Sequence, residues 1–391
     1  MDNEALKQAV CDRVDEIAPR LIAASHDIHA HPELNYEEHH AHAVLTDLLA
    51  EHGITPVRHA YGLATAFDAA VGSDGPVVAV LCEYDALPEI GHACGHNVIG
   101  TAGVGAGLAL AALADELGGR VTVLGTPAEE GGGGKIRLLE AGAFADGDVA
   151  MMVHPECGDV ELVPYLATDV LVVEFHGRPA HASSTPWKGI NALDALVLGY
   201  QAVGALRQHI RHDEKIHGII TDGGTADNVV PDHAAARFRV RAWTDERLQA
   251  LKRRVLGCFE GAALQTGATL EHQWLGGYRN LRANRVLSRA YRRNGEVLGR
   301  RFVEPELIPR SVAGSTDMGD VSHVLPTIHP VIGMAPVGVA GHTPEFADHA
   351  VTEAADRAVV DGAKALAMTA IDVWLRPDLL AEARTEFTRG A

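Results

Sequence analysis

Val77-Val-Ala-Val-Leu-Cys-Glu-Tyr-Asp85-Ala-Leu-Pro88, followed by the turn His92-Ala-Cys94-Gly-His96, decides the fold. It is a short strand-like run that ends on acids and leads straight into a thiol and imidazoles. Three further runs share this design: Arg120-Val-Thr-Val-Leu-Gly-Thr-Pro-Ala-Glu129-Glu130; Asp148-Val-Ala-Met-Met-Val-His154; and Pro330-Val-Ile-Gly-Met334, which leads to Gly341-His342-Thr-Pro-Glu-Phe346. In an open α/β sheet the active site lies just past the strand ends. One thiol, three imidazoles and two adjacent carboxylates therefore gather at one edge, a pattern that points to a metallohydrolase.

Between these runs the sequence alternates helical and β-rich patterns, which predicts an α/β fold with a mixed, largely parallel sheet flanked by helices. The opening helix is expected over 4–25. From residue 168 the order changes to a strand (170–176), a helix (191–211), two strands (216–221 and 234–243), a helix (245–267) and a strand (269–274). This is a β-α-β-β-α-β unit. The expected organisation is a first part of a catalytic domain over 1–167, an inserted domain over 168–278, and the remainder of the catalytic domain over 279–391. A chain of 391 residues has room for two such domains.

The formal charge of -19 disfavours nucleic acid and anionic membranes as partners, since no basic stripe offsets repulsion from phosphates. The acidic start Met1-Asp-Asn-Glu-Ala5 lacks the basic and apolar regions of a secretory signal, and the apolar stretch Gly103–Ala114 is too short and Gly-rich to span a bilayer. A cytoplasmic location is expected. Cysteines 11, 82, 94, 157 and 258 form no CxxC pair, so no disulfide framework is expected.

A histidine taken singly in a chain with 22 of them is an ordinary surface or core residue. His96, His154 and His342 differ because each follows a predicted strand. His29-Ala-His31 is a decoy: residues two apart on a helix point in different directions, so a structural role is expected. Glu129-Glu130 precedes Gly131-Gly-Gly-Gly134, a loop with little bulk, and the two carboxylates can approach one centre only if a cation offsets their repulsion. The natural division is one ligand and one base. Gly131–Lys135 resembles a phosphate loop, but Glu129 stands where the first Gly belongs and Ile136 follows the Lys. The Gly/Ala-rich run Gly100–Gly107 lacks dinucleotide spacing and reads as close helix packing behind the site. Two other classes remain open: a thiol hydrolase with Cys94 as nucleophile assisted by His96, and a noncatalytic small-molecule binding protein.

His92-Ala-Cys94-Gly-His96, Pro127-Ala-Glu129-Glu130-Gly-Gly, Val153-His154-Pro, Gly177-Arg-Pro-Ala-His181-Ala, Asn228-Val-Val-Pro231-Asp and His342-Thr-Pro344 together resemble the co-catalytic metallopeptidase family of aminoacylases, dipeptidases and glutamate carboxypeptidases. The match is to its amidohydrolase branch. Two departures, Glu83-Tyr-Asp85 for Asp-x-Asp and Cys94-Gly-His96-Asn97 for Cys-Gly-His-Asp, are similar to the aminobenzoyl-glutamate hydrolase and β-alanyl-lysine dipeptidase subgroup.

The resemblance implies a zinc-exopeptidase-like fold whose inserted domain is a lid and dimerisation domain, and a homodimer. It implies that Cys94, His96, Glu130, His154 and His342 hold two divalent ions, with Cys94 the candidate to be shared. Zinc is expected first, with manganese, cobalt or nickel as alternatives. Asp85 would orient a ligand imidazole. Glu129 would be the general base and His181 the oxyanion stabiliser in hydrolysis of a dipeptide or an N-acyl or aminobenzoyl amino acid. Asn228 would contact substrate, with Arg178 and Arg310 as candidates for its carboxylate; apart from the resemblance, Ser315 in Gly314-Ser-Thr-Asp317 sits in no GxSxG turn and is expected, with Thr316, in a substrate loop or a structural role.

Overall fold

A computed structural model describes residues 3–72, 74–308 and 313–390; Arg310 lies outside them. The described chain divides into two compact units. The first takes residues up to Val163 together with Leu281 onward and Asp317 onward; the second runs from Pro164 to Asn280 and takes in residues 313–316.

The first unit is built on a six-stranded sheet, ordered Val57–Arg58, Phe67–Val71, Arg120–Gly125, Val77–Cys82, Val149–Met151 and Thr327–Ile328. The last four strands are mutually parallel, and Phe67–Val71 runs antiparallel to both of its neighbours. Val77–Cys82 is buried at every position. Val78, Val80 and Cys82 enter one apolar cluster while Ala79 and Leu81 enter another, so both faces of this central strand are covered.

The helices Asn3–Ala30, His96–Ala111 and Glu353–Leu375 supply the larger cluster through Val14, Leu21, Val104, Ala363 and Leu366. The opening helix runs past residue 25 because Ile28 continues its buried stripe. His29 accordingly sits on the helix and bonds through Nε2 to the Ala347 carbonyl at 2.9 Å, a structural contact. The glycines of 100–107 do pack the helix closely: a Cβ on Gly103 would lie 2.6 Å from Cys82 Sγ. A separate parallel pair, His154–Glu156 with Val331–Gly333, extends the sheet edge, with His154 opposite Val331.

The second unit is a four-stranded antiparallel sheet, ordered Thr269–Trp274, Ala167–His176, His233–Ala242 and Lys215–Asp222. The helices Ala192–Leu206 and Asp245–Thr266 cover one face through Leu196, Val203, Leu248, Val255 and Phe259. Ser315 joins this unit because its Oγ accepts from Arg241 Nη1 at 2.8 Å, and the Gly314 carbonyl accepts from Leu166 N at 2.8 Å. Among the described residues no helix is long and apolar enough to cross a membrane.

His42, on the helix His39–Glu51, is buried against His59 and Phe67, and its Nε2 has no hydrogen-bond partner among the described residues. Burial, then the nearby His59 and Arg58 charges, lowers it from 6.5 to about 4. The folded protein thus binds this proton less readily than the unfolded chain, and stability is lost as pH falls from 6.5 towards 4. The melting temperature is expected to drop over that window, and to drop less in His42→Phe; equal slopes in the two proteins would contradict this.

Candidate metal centre

Three parallel strands, Val77–Cys82, Arg120–Gly125 and Val149–Met151, end at one edge of the sheet, and the loops beyond them carry the donors. Cys94 lies in the turn before the helix that His96 opens. Gly95 between them has φ 75°, and a Cβ there would meet Pro155 Cγ at 2.5 Å, so only glycine can present Cys94 and His96 side by side. His342 is delivered by a loop whose backbone is pinned when His342 N donates to the Ala93 carbonyl at 2.9 Å.

Donor atoms converge in three overlapping groups: Cys94, His96 and His154; Cys94, Glu130 and His342; and His96, Glu129 and Glu130, each within 4.8 Å. Cys94 Sγ is 3.4 Å from His154 Nε2, Glu130 Oε1 is 3.3 Å from His342 Nε2, and Glu130 Oε1 is 3.9 Å from His96 Nε2. Two donors on one tetrahedral ion, with bonds of about 2.0–2.3 Å, stand about 3.3–3.8 Å apart, so the Cys94–His154 and Glu130–His342 spacings fit shared cations.

The neighbours prepare the imidazoles for that task. His154 Nδ1 donates to the Pro155 carbonyl at 2.8 Å, leaving the Nε2 lone pair directed at Cys94. His96 Nδ1 pairs with Asp85 Oδ1 at 2.9 Å, and Asp85 Oδ2 accepts from Glu130 N at 2.9 Å, so one carboxylate orients two candidate ligands. His96 Nε2 and Glu130 Oε1 are buried without a hydrogen-bond partner, as atoms intended for an ion would be.

Negative charge dominates the centre. Burial, then Glu83, Asp317 and Glu130, holds the Glu129 carboxyl well above the usual carboxylate range. Burial would lower His96, but Asp85 and Cys94 more than reverse it. Burial and Glu130 raise the Cys94 thiol, the opposite of what a thiolate nucleophile requires. A donor set of this kind accommodates a pair of divalent cations. The Glu129 loop is itself held under strain: Ala128 has φ 59°, and its N–H is bonded to the buried Glu38 carboxylate at 2.9 Å. Tyr36 Oη donates to the Gly132 carbonyl at 2.6 Å and fixes the far side of the loop.

The remaining candidates lie in the second unit. His181 and Asn228 are neighbours there: Ala182 N donates to the Asn228 carbonyl at 3.0 Å, and His181 forms a bridge with Val229. Both are exposed. Arg178 Nε donates to the Lys188 carbonyl at 2.7 Å. Thr316 is buried next to Ser315 in the sequence.

Two residues at the centre, Lys135 and Asp317, are not foreseen by the sequence pattern. Lys135 is fully buried, its ammonium 2.5 Å from Glu83 Oε1 and 2.6 Å from Asp317 Oδ1, and its backbone N–H is 3.0 Å from Asp317 Oδ2. Burial would neutralise this amine, but Asp317 and Glu83 keep it charged. The available signal is a lysine placed directly after the Gly131–Gly134 run that follows the paired acids.

Comparison with known proteins agrees with this architecture. Residues 170–266 match the peptidase dimerisation domain of the M20 group. The chain is 42% identical to a mouse Xaa-Arg dipeptidase, over 98% of this chain and 92% of that protein. It is 30% identical to one of the subunits of the Escherichia coli p-aminobenzoyl-glutamate hydrolase, over 96% and 93% of the two chains. A solved dinuclear metal-binding peptidase of Bacillus subtilis superposes with a TM-score of 0.71 at 23% identity, covering 92% of this chain and 99% of that one, and shares the fold. The chain belongs to the M20 family of metallopeptidases, near its aminobenzoyl-glutamate hydrolase subgroup.

Proposed function

We propose that this protein hydrolyses the amide bond of a dipeptide or an N-acyl amino acid at a centre of two divalent ions, with Glu129 as general base. The observation that carries this reading is the convergence of the Cys94, His96, Glu130, His154 and His342 donors beside a second carboxylate on the same loop. Divalent ions bound there supply a nucleophilic water at neutral pH and polarise the carbonyl. Zinc suits the thiol and imidazole donors best, with manganese, cobalt and nickel also compatible.

Glu129 accepts the proton of the attacking water and returns it to the departing amine nitrogen. Its burial among Glu83, Asp317 and Glu130 makes it a stronger base than a solvated glutamate. Asp85 holds His96 in one tautomer while bonded to Glu130 N. We assign His181 to the substrate's developing oxyanion, and Asn228, Ser315 and Thr316 to substrate contacts. The mouse relative's name supports a dipeptide ending in arginine. The match of residues 170–266 to a dimerisation domain supports a homodimer. Five free cysteines support a cytoplasmic location.

Glu129→Gln is expected to retain metal, measured by elemental analysis, while turnover falls by about 10² or more; surviving activity would remove Glu129 from the base role. Dialysis against a chelator should abolish hydrolysis, and added Zn²⁺ or Mn²⁺ should restore it. Activity that withstands chelation and is lost to iodoacetamide would favour Cys94 as a nucleophile. In a substrate screen, kcat/KM for Xaa-Arg dipeptides is expected to exceed that for aminobenzoyl-glutamate, and the reverse order would place the substrate with the Escherichia coli relative.

A further inference from the structure

Glu83 carries a carboxylate with two different tasks. Its Oε1 accepts from Lys135 Nζ at 2.5 Å, whereas its Oε2 is buried with no hydrogen-bond partner among the described residues. That second oxygen faces His96 Nε2 at 3.6 Å, and this nitrogen is itself buried without a hydrogen-bond partner, while Nδ1 pairs with Asp85. An oxygen and a ring nitrogen, both buried and both without a hydrogen-bond partner, therefore confront each other in a dry site. Buried polar atoms left without a partner are costly, and a positive centre between the two would satisfy both. Lys135 does not fill that role, since its ammonium is directed at Glu83 Oε1 and Asp317 Oδ1.

We infer that Glu83 Oε2 is a ligand to the same cation as His96 Nε2, with Lys135 and Asp317 as positioning residues that aim the Glu83 carboxylate. This rests on the proposed metal-dependent function and extends its donor set by one. The 3.6 Å separation falls in the range of the other donor pairs at the centre, between 3.3 and 3.9 Å. The Lys135 charge also offsets part of the repulsion between Glu83 and Asp317 in the metal-free protein, so the ligand stays in place before an ion arrives. Asp317 anchors the lysine at both ends, through Nζ and through the backbone N–H at 3.0 Å, which fixes the direction of the ammonium. A glutamate is long enough to join Lys135 and His96; an aspartate, one methylene shorter, would have to give up one of the two.

The test is metal binding by the full-length protein, with zinc as the probe and catalysis left aside. Wild type, Glu83→Gln, Glu83→Asp and Lys135→Met are stripped of metal, checked for folding by circular dichroism and melting, and titrated with Zn²⁺; bound ions per protomer are counted. Cobalt-loaded samples report the ligand field through their visible spectra. Wild type is expected to hold two ions. Glu83→Gln should bind one of them at least about tenfold more weakly and alter the cobalt spectrum. Lys135→Met should weaken the same ion, because the carboxylate loses its aim. Two ions bound to Glu83→Gln with wild-type affinity and an unchanged spectrum would overturn the assignment while leaving the proposed function intact. Failure of the wild type to bind any ion would overturn both. Should Glu83→Gln not fold, Glu83→Asp, which preserves the charge on Lys135, decides by the same readings.

Discussion

Five carboxylates, Glu83, Asp85, Glu129, Glu130 and Asp317, are crowded at one edge of a buried sheet, and the rest of the structure depends on how their mutual repulsion is met. Two of them share a fixed cation, the Lys135 ammonium. Asp85 is occupied by the His96 ring and the Glu130 backbone N–H. Glu129 and Glu130 stand beside them on one loop, Glu130 within 3.3 Å of His342 Nε2, and like charges crowded in a site of low polarisability are costly unless compensated. Divalent ions would add to that compensation, and the imidazole and thiol donors around the carboxylates could hold them.

The fold supplies this crowding by parallel pairing. Strands that run in one direction deliver their following loops to one edge, and burial on both faces lets the central strand be apolar from Val77 to Cys82 before it meets Glu83 and Asp85. Close packing of the helix His96–Ala111 against that strand, with Gly103 over Cys82, sets the depth at which His96 enters. The left-handed conformations at Gly95, Ala128 and His342 then turn three loops inward. Two of these are not glycine, and local backbone strain of this kind is tolerated where the surrounding contacts over-determine it, as the Glu38 carboxylate does for Ala128 and the Ala93 carbonyl for His342.

Much of this is legible from the sequence because it is written in local periodicity. The runs before Asp85, Glu129 and His154 become parallel neighbours, and the β-α-β-β-α-β order from 168 onward reappears as four strands and two helices. Features set by distant contacts are not legible. Lys135 and Asp317 are 182 residues apart, and nothing in the spacing of either foretells that they meet. A lysine after four glycines reads as exposed, and only the acids on either side explain its complete burial. The first helix outruns its expected end for a similar reason: Ile28 and His29 are held by tertiary contacts that local propensity does not record. Ser315 associates with the second unit through Arg241, a long-range bond of the same kind.

The account stands on cations occupying the space bounded by these donors. Anomalous X-ray scattering from crystals grown with zinc, recorded on both sides of the metal's absorption edge, examines that space directly. Two peaks per protomer are predicted, one bounded by His96, His154 and Cys94 and one by Glu130, His342 and Cys94. No peak within bonding distance of Cys94, or peaks confined to other parts of the chain, would contradict the account.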